Sequence, residues 1–249
     1  MPPTGCLARL GSYGQDEIDP KALIGPLLLV TFSAGVLDIT TYVNFGTFAS
    51  NQTGNTFILI TILTGLPAEK ANLALTGSSF LAFLFTAFLF ARLSLLGGPR
   101  HRKRWWLLLS LAMQCVLLFL PAMLVTTGAV PVHSAASLDW LLLGLLASCA
   151  GVQVVMARTS GNPEIPSAML TSPYIDFLVD PALFKSVRGD GTRKRNVRFL
   201  YILALVGGGF VGGGVQHGGG TVAVLWLGMG LRGVTMVWVG MLRRRAGEG

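Results

Sequence analysis

The chain has 249 residues, 52% of them hydrophobic and only 12% charged, with 19 Lys and Arg against 11 Asp and Glu for a formal net charge of +8. Soluble domains carry roughly 25% charged residues, so this composition excludes an ordinary water-soluble fold and makes the lipid bilayer the solvent. The positive charge does not signal nucleic-acid binding, which is excluded, because the basic residues gather at the ends of apolar segments, where they mark topology.

Residues 1–21 carry Asp16, Glu17 and Asp19 among prolines and glycines, without an apolar leader or cleavage site, and read as a mobile tail rather than a signal peptide. An apolar tract follows from Ala22 to Leu66, interrupted by the polar stretch "FASNQTGNTF", Phe48 to Phe57. The tract is too long for one crossing of about 20 residues and lacks the charged loop that would make it two. It therefore predicts a membrane helix over 23–46, a break beside a central polar site, and a short apolar segment over 55–65. The alternative is a solvated turn at Asn51 to Asn55, with Thr56 to Leu66 lying on the membrane surface.

Further helices are predicted over 73–96, 105–127 and 138–157, then a second short segment over 166–184, then helices over 198–216 and 221–242. These runs are twice the length of barrel strands and do not alternate polar with apolar, so helices are required. With six crossings, "GGPRHRKRWW", "FKSVRGDGTRKRNVRF" and "LRRRAGEG" all fall on one side of the membrane. The other side receives "LPAEKAN", "GAVPVHSAASLD" and "VQHGGG", with Lys70 as its one basic residue. The positive-inside rule makes the first side, and both termini, cytoplasmic.

The segment "SAGVLDITTY" from Ser33 aligns with "CAGVQVVMAR" from Cys149, and about 20 residues beyond each Ala-Gly pair Thr53 falls near Thr171. The chain reads as two related halves, 22–128 and 137–243, each with three crossings and one short segment. An odd number of crossings inverts the second half, the 3+3 inverted repeat of many secondary transporters. The predicted fold is thus all-α, an integral membrane helical bundle forming a single transmembrane domain over 22–245, with tails at 1–21 and 246–249.

Asp38 lies deep in the first span, where a carboxylate costs about 2.5–3.5 kcal/mol near the bilayer centre and so faces the bundle interior. Arg232, midway along the last span, is its natural counterpart, and the pair would serve as a structural lock or as a proton- or substrate-linked switch. Asp176 sits in the second short segment, either in the polar site or at the hydrated cytoplasmic interface. Gln114 and Gln153 read as interhelical hydrogen-bond partners, and Gly208 with Gly212 and Gly209 with Gly213 as a close helix-helix contact. Cys6, Cys115 and Cys149 show no paired spacing, and His101, His133 and His217 lie in loops or at span ends. No metal site, triad or cofactor motif emerges, which argues against an enzyme.

The combination "AGVLDITTY…FASNQTGNT", "CAGVQVVMAR", "LTSPYIDFLVDPALF" and "RKRNVRFLYILALVGGGFVGG" resembles the YoaK-like family of multi-pass membrane proteins of unknown function, especially its fungal-type members. The resemblance implies that the acid three residues after Ala-Gly is Asp38, that the "TGN" is Thr53, Gly54 and Asn55, and that the acid of the second half is Asp176. At the matching position after the second Ala-Gly this chain has Val154, with Gln153 beside it, which argues against a symmetric pair of ligands. Together these readings predict a small permease in which Asp38, Thr53, Asn55 and Asp176 line a central substrate site and Arg232 supplies the counter-charge. The alternative is a membrane scaffold in which the same residues stitch helices together. The partners allowed are the lipid bilayer, a small-molecule or ion substrate and a further copy of the chain.

Overall fold

A computed structural model of the chain describes residues 13–68, 70–96, 101–130 and 138–243. The expectations for residues 1–12 of the leading tail, Cys6, His133 and the 246–249 tail lie outside the described residues.

The described residues form helices throughout, with no strand among them. After a short 3-10 turn at Pro20–Leu23 come α1 (Ile24–Phe45), α2 (Gln52–Leu63), α3 (Leu73–Leu95), α4 (Arg104–Thr126), α5 (Asp139–Thr159), α6 (Thr171–Leu178) and α7 (Arg193–Met241). Five of these are long and apolar enough to cross a membrane. At 1.5 Å per residue, the 22 residues of α1 extend about 33 Å, which matches a hydrocarbon core of about 30 Å. The fold is a membrane helical bundle.

Helix α7 supplies two crossings. As a straight rod its 49 residues would run about 74 Å, more than twice the hydrocarbon thickness. Gly220 breaks it, at φ 68° and ψ −174°, a backbone region open only to glycine. The two arms, 193–219 and 221–241, fold back on each other along α1. Asn44 near the end of α1 donates to Thr221 at 2.9 Å, Gly212 and Gly228 lie against Val36 and Leu37, and Gly25 at the start of α1 lies under Trp238. The predicted spans over 198–216 and 221–242 are therefore both present as helical arms, which gives six apolar helical segments of crossing length among the described residues.

Glycine sets how closely α1 meets the first arm. A Cβ on Gly208 would stand 2.1 Å from the Phe32 carbonyl oxygen, one on Gly212 2.5 Å from that of Val36, and one on Gly35 2.2 Å from that of Leu205. Such backbone contact is the membrane use of small residues at four-residue spacing. Of the two predicted pairs, Gly208 and Gly212 make it, whereas a Cβ on Gly209 would meet nothing within 4 Å. Helix α5 meets α3 in the same fashion, a Cβ on Gly151 falling 2.8 Å from the Phe83 carbonyl oxygen and 3.2 Å from the Ala87 nitrogen.

One end of the bundle is closed by Ile18, Leu23, Leu107, Ile165, Tyr201 and Val239, and the interior further along by Val36, Leu118, Leu146 and Val224. The leading segment belongs to the first of these clusters. Ile18 is fully buried and its N–H donates to the Arg102 carbonyl at 3.0 Å, while Arg104 donates to Tyr13 and to the Gly240 carbonyl and pairs with Asp16 at 3.6 Å. Residues 13–21 thus pack on the bundle, where an apolar anchor and two acid-base pairs hold them. Arg102–Arg104, Arg158, Arg193–Arg195 and Arg243 share this end of the bundle, and Lys70 lies at the other.

Candidate functional site

The polar stretch in the first apolar tract is a break between two helices. Helix α1 stops at Gly46, whose φ of 62° sends the chain out of helical register, and α2 begins six residues later. Backbone groups released inside a bilayer must find partners within the protein. The side chains of this stretch and of α1 supply them. Asn55 accepts from the Phe48 N–H at 3.0 Å and donates to the Phe48 carbonyl at 2.8 Å. Thr41 accepts from the Ala49 N–H at 3.2 Å, and Asp38 accepts from the Ser50 N–H at 2.8 Å and from the Ser50 hydroxyl. Asn51 caps α2 by accepting from the Gly54 N–H at 3.2 Å. Asn55 is fully buried, Asn51, Gln52 and Gly54 are half-buried and Thr53 is exposed, so the stretch is anchored in the bundle at Asn55 and open at Thr53.

The second interruption precedes α6. Here Ser167, buried at φ 77°, turns the chain, and Gln153 of α5 donates to its carbonyl at 3.0 Å. Tyr201 of α7 then holds both backbone groups of Met169, donating to its carbonyl and accepting from its N–H. Helix α6 starts at Thr171 without a side-chain cap. The observed short helices, Gln52–Leu63 and Thr171–Leu178, occupy the places predicted over 55–65 and 166–184.

Both interruptions open into one cavity of about 660 Å³. Asp38 and Ile39 of α1, then Phe48, Asn51, Thr53, Gly54 and Phe57, form one wall. Ala168 to Ser172 and Leu205, Val206 and Gly209 of α7 form the other. From this cavity the short helices run apart: α2 ends beside Tyr42 and Lys70 at one end of the bundle, and α6 leads to Asp180, which pairs with Arg198 at 2.9 Å towards the other. The positive ends of two helix dipoles thus converge on the space that holds the Asp38 carboxylate.

Of the residues singled out in the sequence, Asp38 and Thr53 line this cavity, together with Thr171. Asn55 lies behind its wall, its carboxamide taken up by Phe48, Gln52 and Ser79. Asp176 is exposed on α6, away from the cavity wall. Arg232 is 1% exposed and lies elsewhere in the interior, in a polar cluster of its own. Its guanidinium donates to the Gln114 and Gln153 carboxamide oxygens and, at 3.2 Å, to the Ser33 hydroxyl.

The expected Asp38–Arg232 ion pair is therefore not formed. Ser33 and Asp38 are five residues apart, about 140° round the helix at 3.6 residues per turn, so α1 cannot present both to the same neighbour. Ser33 faces Arg232, and Asp38 faces the cavity. The glutamines expected to bond between helices do so, with Arg232 as their shared partner. Ser50, Ser167 and Tyr201 were not foreseen, since their roles depend on where irregular backbone lies and leave no periodic mark.

Residues 26–238 match a family described as a protein of unknown function, DUF1275, and the chain belongs to that family. No curated protein and no solved structure matches it.

Proposed function

We propose that this chain is a small permease whose substrate binds in the cavity between the two interrupted segments. The observation that carries the reading is that both helix breaks, remote in sequence, open into one space with a carboxylate on its wall. Irregular backbone in a bilayer is tolerated where it is buried in protein or lines a water-filled cavity, and transporters place substrates at such sites. Asp38 and Thr53 contact the substrate, Asn55 braces the wall, Arg232 orders the helices around it, and Asp176 stands at the membrane interface.

An inverted repeat accompanies this reading. Long, short, long, long is the order of segments in both 22–128 and 137–243. Gly35 meets the oxygen of Leu205 and the nitrogen of Gly209, four residues on; Gly151 meets the oxygen of Phe83 and the nitrogen of Ala87, again four residues on. In each case the first long helix of one half touches the third segment of the other, which supports a twofold relation between the halves. The arginine-rich end is the cytoplasmic end by the positive-inside rule, and the YoaK-like, fungal-type placement within the family rests on the quoted motifs. We take the chain for a carrier rather than an enzyme.

The experiment is independent of substrate. With Cys6, Cys115 and Cys149 replaced by Ala, Thr53→Cys and Thr171→Cys are treated with a membrane-impermeant maleimide in right-side-out and inside-out vesicles. Alternating access requires that both react from both sides. A scaffold, the reading favoured by the capture of Asp38 by Ser50, leaves them reactive from one side or neither, and that result ends the permease reading.

A further inference from the structure

The cavity has one ionisable residue among those that line it, and that residue is an acid. Asp38 accepts two hydrogen bonds from Ser50, one to each carboxylate oxygen, and a further one from the Ala49 N–H, and all three donors are neutral. A carboxylate has about four lone-pair sites, so roughly one remains for another donor. The buried arginines do not fill it: Arg232 gives its donors to Ser33, Gln114 and Gln153, Arg104 to Tyr13 and the Gly240 carbonyl, and Arg195 to Asn196 and the carbonyls of Ala182, Leu183 and Lys185. The cavity thus holds a half-buried carboxylate with an acceptor site still open, an arrangement completed by a cation that brings its own N–H donors.

The rest of the lining says what the cation is attached to. Ile39, Phe57, Leu205 and Val206 are apolar, and Thr53 with Thr171 offers hydroxyls. A bare hard cation takes about six to eight oxygen ligands, more than the one carboxylate and the hydroxyls of Thr53, Thr171 and Ser172 that the wall offers, the Asn51 carboxamide oxygen already accepting from Gly54. We infer that the cavity binds a small molecule with a primary ammonium group and an apolar body, the ammonium on Asp38 and the body against Ile39, Phe57, Leu205 and Val206. This rests on the permease reading for the use of the cavity, and adds to it the class of substrate. Such a ligand is either an apolar amine or the corresponding α-amino acid, whose carboxylate would meet the uncapped start of α6.

The test uses the purified full-length protein in detergent, with ligand-induced change in unfolding temperature as readout. The probes are L-leucine and L-phenylalanine, their decarboxylated amines 3-methylbutylamine and phenethylamine, and their N-acetyl derivatives, which keep the body and lose the ammonium. The amino acids or the amines are expected to raise the unfolding temperature in a saturable way, and the N-acetyl compounds to leave it unchanged. Binding by the amino acids alone gives the α6 start its carboxylate; binding by the amines alone leaves the ammonium and body as the whole determinant.

Asp38→Asn keeps an oxygen to accept from the Ser50 N–H and should weaken binding at least tenfold. Because Asp38 also braces the break, Gly209→Leu serves as a second variant: it fills the cavity from a position with no neighbour within 4 Å of its Cβ. It should abolish binding without lowering the unfolding temperature of the unliganded protein. The inference is overturned if none of the four ammonium probes binds, if the N-acetyl compounds bind equally, or if Asp38→Asn binds like the parent. Two-sided labelling of Thr53→Cys and Thr171→Cys without ammonium binding would keep the permease and discard this substrate class.

Discussion

Arg232 offers a test of the interior that does not involve the cavity. Its guanidinium is buried, and each of its three contacts is a neutral acceptor: Ser33, Gln114 and Gln153. Replacing it by Met keeps most of the volume and removes the donors. Ser33 retains a use, donating to the Gly228 carbonyl at 3.3 Å, but the Gln114 and Gln153 carboxamide oxygens are left without partners in an apolar interior. At about 1–3 kcal/mol for each orphaned acceptor the loss is roughly 4 kcal/mol, partly offset because a charge no longer has to be desolvated. We expect a net cost of about 3 kcal/mol for Arg232→Met.

Gln114→Leu in the parent protein should cost about 2 kcal/mol, since it removes one acceptor of a charge-assisted bond. In the Arg232→Met background the same substitution removes an orphan and should be neutral or stabilising. The cycle therefore carries a coupling of about 2 kcal/mol or more, of the size found for residues sharing one network. Unfolding of the purified protein by SDS in mixed micelles, followed by far-ultraviolet circular dichroism, gives the four free energies. Strict additivity, or an Arg232→Met protein as stable as the parent, would refute the assignment of Arg232 as hub of a neutral-acceptor cluster.

The close helix contact gives a second prediction. Gly208→Ala and Gly35→Ala each place a methyl group within about 2.2 Å of a backbone oxygen and should destabilise by about 1–3 kcal/mol, whereas Gly214→Ala, with open space around it, should be neutral or slightly stabilising; thermal unfolding in detergent distinguishes them. Topology gives a third. In intact cells making a chain that lacks Cys6, Cys115 and Cys149, Lys70→Cys should react with an impermeant maleimide and Arg188→Cys should not, and the reverse pattern would overturn the orientation.

The crossings were legible in the sequence because their cause is a simple count. About 20 apolar residues are needed to span a bilayer, so the runs over 23–46 and 73–96 foretell helices at Ile24–Phe45 and Leu73–Leu95. The break after α1 was legible for a similar reason, since Asn51, Gln52, Thr53 and Asn55 have no business in an apolar tract unless something there needs hydrogen bonds. What could not be read was partnership. Asp38 and Arg232 are both charged and both deep, but whether they meet is decided by the rotation of α1, which turns Ser33 towards one neighbour and Asp38 towards another. Asp176 misled because an acid in a short polar segment looks the same in sequence whether its helix face turns inward or, as here, outward.

The two roles of the polar stretch share one physical origin. A helix stopped inside the bilayer exposes N–H and C=O groups, each costing several kcal/mol if left unpaired. Asn55 alone takes both backbone groups of Phe48, and Asp38 with Thr41 takes the N–H groups of the next two residues. Such bracing requires side chains with oxygen and nitrogen at this depth, and those side chains forbid tight apolar packing around them. The cavity is what remains where packing stops, so the residues that make the break tolerable also make its surroundings polar. Asp38 belongs to both: its two carboxylate oxygens hold Ser50, and the same side chain lines the space between the two interrupted segments. A carboxamide at that position has one acceptor oxygen in place of two, so it would keep the bond from the Ser50 N–H and lose the acceptor of the Ser50 hydroxyl.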